Sequence, residues 1–255
     1  MFVKNLLLVL AIYTVLFARK TETIEDIDGN VYNTVQIGNQ VWTVENWQCT
    51  KYNDGTPIAL VEKKGEWKKL KTPGYCWYDN SHGNLYYKDS SIYYKELDGA
   101  LYNWFAINNN KFAPKGWHVP TAADWKILED FLIRNYSNYS EVYTFDAWFS
   151  VKAPHLLAAK EGWNNFSNSY EHVAINSENN NHTGFSAIPS GYRNTRGNFF
   201  GQYASVCEQS ACWWSATEYD ASTAWCRVLV GNHVHSLDKE CYHKGHGFSV
   251  RLLKD

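Results

Sequence analysis

Apolar positions recur at helical spacing most clearly between residues 115 and 134, KGWHVPTAADWKILEDFLIR. The repeating apolar positions there are Trp125, Leu128, Phe131 and Leu132. Ahead of them, the Thr121 hydroxyl can accept an amide of the first turn, and Asp124 stands three residues later, as in a capping box. The pattern therefore predicts a well-capped helix near 122–134, around which we expect the other elements to pack.

Elsewhere apolar residues alternate with polar ones, which predicts short strands. Two alternating runs within 28–47 flank Gly38-Asn39, a turn pair typical of a β-hairpin. Further strands are predicted at 75–78, 185–188, 213–216, 224–230 and 248–253, with a strand, charged turn and strand over 58–70. The segment 99–108 fits either a short helix or a buried strand. Many short strands, one strong helix and long loops indicate a single α+β domain.

The composition narrows the classes of function. The 255 residues include 12 Trp, 18 Tyr and 12 Phe, and the formal net charge is -2. Nucleic-acid-binding domains usually carry a clear basic excess, so this charge argues against a nucleic-acid partner. The irregular segment 135–181 contains several aromatic residues, which argues against disorder there.

The N-terminal segment 1–18 has the pattern of a secretory signal peptide. Lys4 supplies a positive charge, and the apolar run 6–17 that follows is too short to span a bilayer. We therefore expect 1–18 to direct export, 19–27 to form a linker and 28–255 to fold as one domain. The expected location is secreted or at the cell surface or envelope, with no membrane span after cleavage.

Six phrases of the sequence occur together and in order in one known family. They are DGNVYNTVQIGNQVWTVENW (28–47), ALYNWFAIN (100–108), PKGWHVPTAADWKIL (114–128), GFSAIPSGYR (184–193), WWSATE (213–218) and GFSVRLLKD (247–255). With these phrases the chain resembles the Fibrobacter succinogenes major paralogous domain family of exported bacterial proteins. That family is more distantly similar to the formylglycine-generating-enzyme type of C-type-lectin-like fold. The resemblance implies one C-type-lectin-like domain with a twisted antiparallel sheet and long loops.

The resemblance also implies a binding surface, because C-type-lectin-like folds can bind ligand just before the last Gly-Phe strand. The matching positions are Trp225, Arg227, Asn232, His233, His235 and His243. Alternation along a strand would put Trp225 and Arg227 on one face. The alternative is an ordinary solvated loop with one buried tryptophan.

Two further groups of residues are candidates for ligand contact. They are Tyr192, Arg193, Asn194 and Arg196 in a Gly-rich segment, and Trp214 beside Trp213. The arginines could bind hydroxyls or carboxylates, and the aromatic rings could stack on a sugar. The competing interpretations are arginines paired with nearby acids and tryptophans packed in the core.

The histidines and cysteines are weaker candidates, as metal ligands and as disulfide partners respectively. His233-x-His235 and His243 near His246 could bind zinc or copper, but sequence gives no geometry and we predict no metal. The cysteine candidates for disulfides are Cys207, Cys212, Cys226 and Cys241. Pairs such as Cys207–Cys212 or Cys226–Cys241 suit an exported chain, although the count alone cannot choose the connectivity.

Together these patterns predict an exported, non-catalytic binding or display domain without a cofactor. The expected ligand is a polysaccharide or a cell-surface protein. One alternative is a cysteine oxidase similar to the formylglycine-generating enzymes, which would need two close free cysteines. Another is a structural protein of the cell envelope. The sequence indicates no catalytic residue and does not predict the oligomeric state.

Overall fold

The computed structural model describes residues 19–81, 99–136, 153–163, 177–201, 209–231 and 237–255. Its strands are β1 (Arg19–Glu25), β2 (Val31–Ile37), β3 (Gln40–Thr43), β4 (Ala59–Leu60), β5 (Gly74–Cys76), β6 (Leu101–Tyr102), β7 (Trp117–His118), β8 (Tyr192–Arg193), β9 (Phe199–Phe200), β10 (Ser210–Glu218), β11 (Thr223–Val230), β12 (Leu237–His243) and β13 (Leu253–Lys254). Its α-helices are α1 (Lys64–Trp67), α2 (Trp104–Ile107), α3 (Ala122–Asn135) and α4 (Ala153–Leu157). Short 3-10 turns cover Tyr78–Asn80 and Ser177–Asn179.

The largest sheet is curled and antiparallel, with strand order β1-β2-β3-β13-β7. Its β2–β3 hairpin confirms the alternating pattern, and Gly38 at the turn has a φ of +61°. A Cβ on Gly38 would lie 2.6 Å from the Phe131 ring. Glycine is therefore required there both by the backbone conformation and by the close approach of α3.

The predicted linker is wrong for most of its length, because β1 pairs with β2 along the edge of this sheet. Ile24 in β1 is buried, and it belongs to the same apolar cluster as Tyr32. The polar sequence RKTETIE hides this strand, since only one strongly apolar residue marks it. An edge strand can be this polar because one of its sides faces solvent.

Helix α3 confirms the strongest pattern in the sequence. Thr121 is its N-cap and forms a complete capping box with Asp124. Trp125, Leu128 and Leu132 are fully buried. The Trp125 ring centroid lies 4.8 Å from that of Trp42 and 6.1 Å from that of Trp213, so the helix docks on an aromatic core.

Three sequence predictions need correction. The second strand predicted within 58–70 is the single helical turn α1, which buries Trp67. The segment 185–188 joins the fold through an isolated bridge at Ala187. The segment 248–253 contributes only Leu253 to a regular strand. The last two segments pair backbone groups through isolated bridges. The apolar pattern of a sequence cannot distinguish such bridges from a regular strand pairing. The undecided segment 99–108 contains both a strand and a helix, β6 and α2.

A second antiparallel sheet, in the order β10-β11-β12, positions the candidate site. Its register places Trp214 opposite Cys226, and Trp225 opposite Cys241. The face that carries Trp214 and Cys226 packs into the apolar core. The opposite face carries Trp225, and α3 contacts it through Glu129, which pairs with Arg227. Among the residues described, no helix has both the length and the apolar character needed to cross a membrane.

Candidate ligand-binding surface

One end of the β10–β12 sheet presents partly exposed aromatic and cationic side chains on one face. Trp225 is half-buried, and the edge of Tyr219 meets its ring at a centroid distance of 4.8 Å and an angle of 80°. The Lys239 ammonium lies 4.0 Å from the Trp225 ring centroid. We call Tyr219, Trp225, Lys239, Cys241 and His243 the Trp225 face.

The strand register builds this face. Cys241 lies directly opposite Trp225, and His243 lies opposite Thr223 at the end of the same two strands. Because side chains alternate along a strand, Lys239, Cys241 and His243 project to the side on which Trp225 lies. All three are exposed. The sheet therefore holds Trp225, Lys239, Cys241 and His243, whereas Tyr219 lies on the β10–β11 turn.

The β10–β11 turn is held in place by one carboxylate. Asp220 accepts hydrogen bonds from the Ser222 amide at 2.7 Å, the Ser222 hydroxyl at 2.9 Å and the Thr223 amide at 2.7 Å. These bonds, first of all those to Ser222, lower the pKa of Asp220 to about 2. Because the Tyr219 amide also donates to the Thr223 carbonyl at 3.1 Å, the turn fixes the backbone that carries Tyr219.

A buried lysine ties the same turn to the end of β12. The Lys244 ammonium pairs with Glu218 and donates to the Ala221 carbonyl at 2.9 Å. It also lies 4.7 Å from the Trp104 ring centroid. Lys244 is only 4% exposed, so its ammonium makes these internal contacts and is not available to a ligand. It supports the Trp225 face and is not part of it.

Arg227 lies on the Trp225 side of the sheet, as alternation predicts, but it is not available to a ligand. It is 1% exposed, and its Nε lies 2.5 Å from Glu129 Oε1 on α3. Its Nη1 donates to the Cys226 carbonyl at 3.2 Å. The prediction of a binding role is wrong because α3 covers this part of the sheet.

Arg193 is likewise a structural residue. Its guanidinium donates to the carbonyls of Val61 and Glu62, each at 2.6 Å. It lies between two rings, 4.6 Å from the Trp67 centroid and 4.7 Å from the Phe199 centroid. These contacts leave it 1% exposed, so its predicted binding role is wrong.

Trp214 also belongs to the core. It is fully buried, and its Nε1 donates to the Tyr102 carbonyl at 2.8 Å. Its ring packs on Phe248, with 4.5 Å between the ring centroids. The interpretation of the tryptophan pair as core packing is the one that the structure supports.

The remaining members of the Gly-rich segment form a turn. Asn194 Oδ1 accepts from the amides of Arg196 at 2.9 Å and Asn198 at 3.0 Å. Tyr192 is half-buried, and its ring stacks on Phe200 with 5.6 Å between the ring centroids. Only the Arg196 side chain is exposed among the four predicted residues, so the segment offers a ligand one cation rather than a site.

Several predicted residues cannot be placed. Asn232, His233, His235 and Cys207 lie outside the described residues. Of the predicted histidines, His243 is exposed on the Trp225 face. Within the described ranges, no three His, Cys, Asp or Glu side chains come together as metal ligands would.

The cysteines are free thiols wherever the structure describes them. The predicted Cys226–Cys241 bond is wrong, because Cys226 faces the side of Glu240 and Cys241 faces the side of Trp225. Cys212 is buried, and burial raises its pKa to about 12. Burial also raises the pKa of Cys226 well above its ordinary value. These buried thiols therefore stay protonated, whereas Cys241 is exposed.

The described residues also line two concavities outside the Trp225 face. A groove of about 460 Å³ is lined by Trp117, the Lys111–Asp54 ion pair, Asn110 and Lys115. A pocket of about 330 Å³ is lined by Val44, Glu45, Ala159, Lys160, Glu161, Asn181, Ser186, Ile188 and Arg251. Sequence reasoning missed Tyr219, Lys239 and both concavities. The alternation along 237–243 could have placed Lys239 beside Trp225, but the concavities join distant segments.

The fold is a mixed α+β domain, built mostly of strands with a curled antiparallel sheet and few helices. The chain belongs to the Fibrobacter succinogenes major domain family, whose model matches residues 35–254. No curated protein and no solved structure matches the chain.

Proposed function

We propose that the protein is an exported, non-catalytic binding domain that holds a polysaccharide on the Trp225 face. The observation that carries this proposal is the half-buried Trp225 ring, fixed on the sheet between Tyr219 and Lys239. A ring anchored in this way loses little conformational freedom on binding. It offers an apolar surface to the C–H face of a sugar.

The polar neighbours of Trp225 suit the hydroxyl groups of a sugar. Lys239 and His243 are exposed on the same face, and Tyr219 is 56% exposed. Lysine donates hydrogen bonds, while tyrosine both donates and accepts them. Lys239 sits at the end of a flexible stem, so a ligand can displace its ammonium from the ring without disturbing the sheet.

Two further considerations support the proposal. A C-type-lectin-like arrangement, with long loops around a curled sheet, would leave this face open to large ligands. The apolar segment 6–17 favours export, which would bring the protein to polysaccharides outside the cell.

The proposal is tested with the exported protein and insoluble cellulose, xylan and chitin, together with a glycan array. We expect saturable binding to at least one glycan, and loss of that binding in Trp225→Ala. The matched control is Phe200→Ala, which removes a 38%-exposed aromatic ring from β9. Equal binding by wild type and Trp225→Ala would contradict the proposed face. Folded protein that binds no glycan would favour a cell-surface protein as the ligand.

A further inference from the structure

The pocket of about 330 Å³ contains a buried cation and lies apart from the Trp225 face. Val44, Ala159 and Ile188 give it apolar walls, and Arg251 lines it. Arg251 is 1% exposed. The pocket and the Trp225 face share no lining residue, so each can be tested without the other.

Arg251 is surrounded by neutral acceptors. Its Nε donates to Asn46 Oδ1 at 2.7 Å, and its Nη1 donates to the carbonyls of Thr43 and Phe185, each at 2.9 Å. Its Nη2 donates to the Ser186 carbonyl at 3.2 Å. A guanidinium has five N–H donors, so these four bonds leave one Nη2 hydrogen without an acceptor in the described part of the chain.

Arg251 has a counter-charge in the same pocket, Glu45, but no direct ion pair with it. Within the described ranges, no carboxylate lies within ion-pair distance of its guanidinium. Glu45 lines the same pocket, but its two oxygens accept from the amide and the side chain of Asn33, each at 2.7 Å. Burial lowers the pKa of Arg251 to about 9, and the negative charge of Glu45 opposes this shift. A buried charge without a directly bonded counter-ion is costly, and an anion bonded to it would offset part of that cost.

Two residues with positive φ place additional donors on the pocket wall. Asn181 has a φ of +64° and Ser186 a φ of +54°. The Asn181 side chain donates to Ser186 Oγ at 2.6 Å and accepts from the Ser186 amide at 2.8 Å. This pairing leaves the Ser186 hydroxyl hydrogen and the second Asn181 N–H without acceptors among the described residues.

We propose that this pocket binds a small carboxylate through Arg251, Ser186 and Asn181, with Lys160 as an exposed cation and Glu161 as an exposed anion among the lining residues. A carboxylate oxygen would accept the unused Nη2 hydrogen of Arg251. The hydroxyl of Ser186 and the amide of Asn181 would supply further donors to the same group. Hydrogen bonds to a charged acceptor inside a pocket are stronger than those between neutral groups. The carboxylate could be free or carried by an acidic sugar.

The test is a titration of the ¹⁵N-labelled protein, followed by the Nε–H signal of Arg251. Sodium acetate probes a free carboxylate, sodium D-galacturonate probes an acidic sugar, and D-galactose is the neutral control. We expect one or both carboxylates to shift the Arg251 signal saturably, and galactose to leave it unchanged. Whichever carboxylate binds more tightly identifies the source of the group.

Two variants sharpen the test without removing Arg251. Ser186→Gly suits the positive φ and removes the hydroxyl, so we expect a stable protein that binds carboxylate about tenfold more weakly. Lys160→Glu reverses an exposed charge and should weaken binding about threefold. The control variant outside the pocket, Trp225→Ala, should bind carboxylate as wild type does. The inference is overturned if neither carboxylate binds, or if Ser186→Gly binds as tightly as wild type.

Discussion

Asn46 and Arg251 are 205 residues apart in the chain and are joined by a hydrogen bond of 2.7 Å from Nε to Oδ1. The same Asn46 oxygen accepts from Trp213 Nε1 at 2.9 Å. Asn46 is 1% exposed. One amide oxygen therefore joins the β2–β3 hairpin region, the second sheet and the final segment of the chain.

This relationship predicts a large effect of Asn46→Ala on stability. The substitution leaves two buried N–H donors unsatisfied, one of them on a cation, so the free energy of unfolding should fall by about 2–4 kcal/mol. Urea denaturation measures the change. Asn110→Ala, at an exposed position, should change it by no more than about 0.5 kcal/mol. Similar values for the two variants would show that the buried connection contributes little.

The loop around Asp28 predicts a dependence of stability on acid pH. Burial raises the pKa of Asp28, but hydrogen bonds from Lys51 and Thr50 outweigh it and lower the pKa from 3.8 to about 2. A carboxyl group with a depressed pKa stabilises the folded state above its unfolded pKa, and this contribution is lost as pH falls toward 2. Because solvent screens the carboxylate and reduces the full linkage value, we expect Asp28 to contribute about 1–2 kcal/mol at pH 7.

The comparison of wild type with Asp28→Asn checks this prediction. Unfolding by urea at pH 7 and pH 3 should show a smaller loss of stability in Asp28→Asn than in wild type. The Asp28 carboxylate also accepts from the Thr50 amide at 2.6 Å, and Asn can keep that bond, so the variant should still fold. An identical pH dependence for both proteins would mean that Asp28 does not titrate with folding.

The thiols should differ sharply in reactivity. Cys241 is exposed on the Trp225 face, whereas the other cysteines of the described part are buried: Cys49, Cys76, Cys212 and Cys226. Iodoacetamide labelling followed by peptide mass spectrometry should therefore modify Cys241 first and the buried thiols only after denaturation. Recovery of Cys241 in a disulfide, or equal labelling of Cys226, would contradict the described register.

Local signals were sufficient to predict α3 and the β2–β3 hairpin. The capping box of Thr121 and Asp124 and the turn at Gly38 lie within a few residues of the elements that they define. Alternation along β11 likewise placed Trp225 and Arg227 on one side of the sheet. These features depend on neighbours in sequence, so they can be predicted without knowing the tertiary structure.

The structural roles of Arg193 and Arg227 could not be predicted in the same way. Arg227 pairs with Glu129, which is 98 residues away, and Arg193 donates to Val61, which is 132 residues away. Local sequence around each arginine resembles that of a solvated residue. Only the packing of α3 and α1 makes them internal, and the pocket around Arg251 depends on the same kind of distant contact.

The most direct test of the proposed function is the affinity of wild type and Trp225→Ala for a soluble oligosaccharide of the glycan that wild type retains. Isothermal titration calorimetry gives both dissociation constants. We predict that Trp225→Ala weakens binding at least about tenfold, because it removes the aromatic anchor, while Phe200→Ala leaves the constant unchanged. Unchanged affinity in a folded Trp225→Ala protein would contradict a binding site on the Trp225 face.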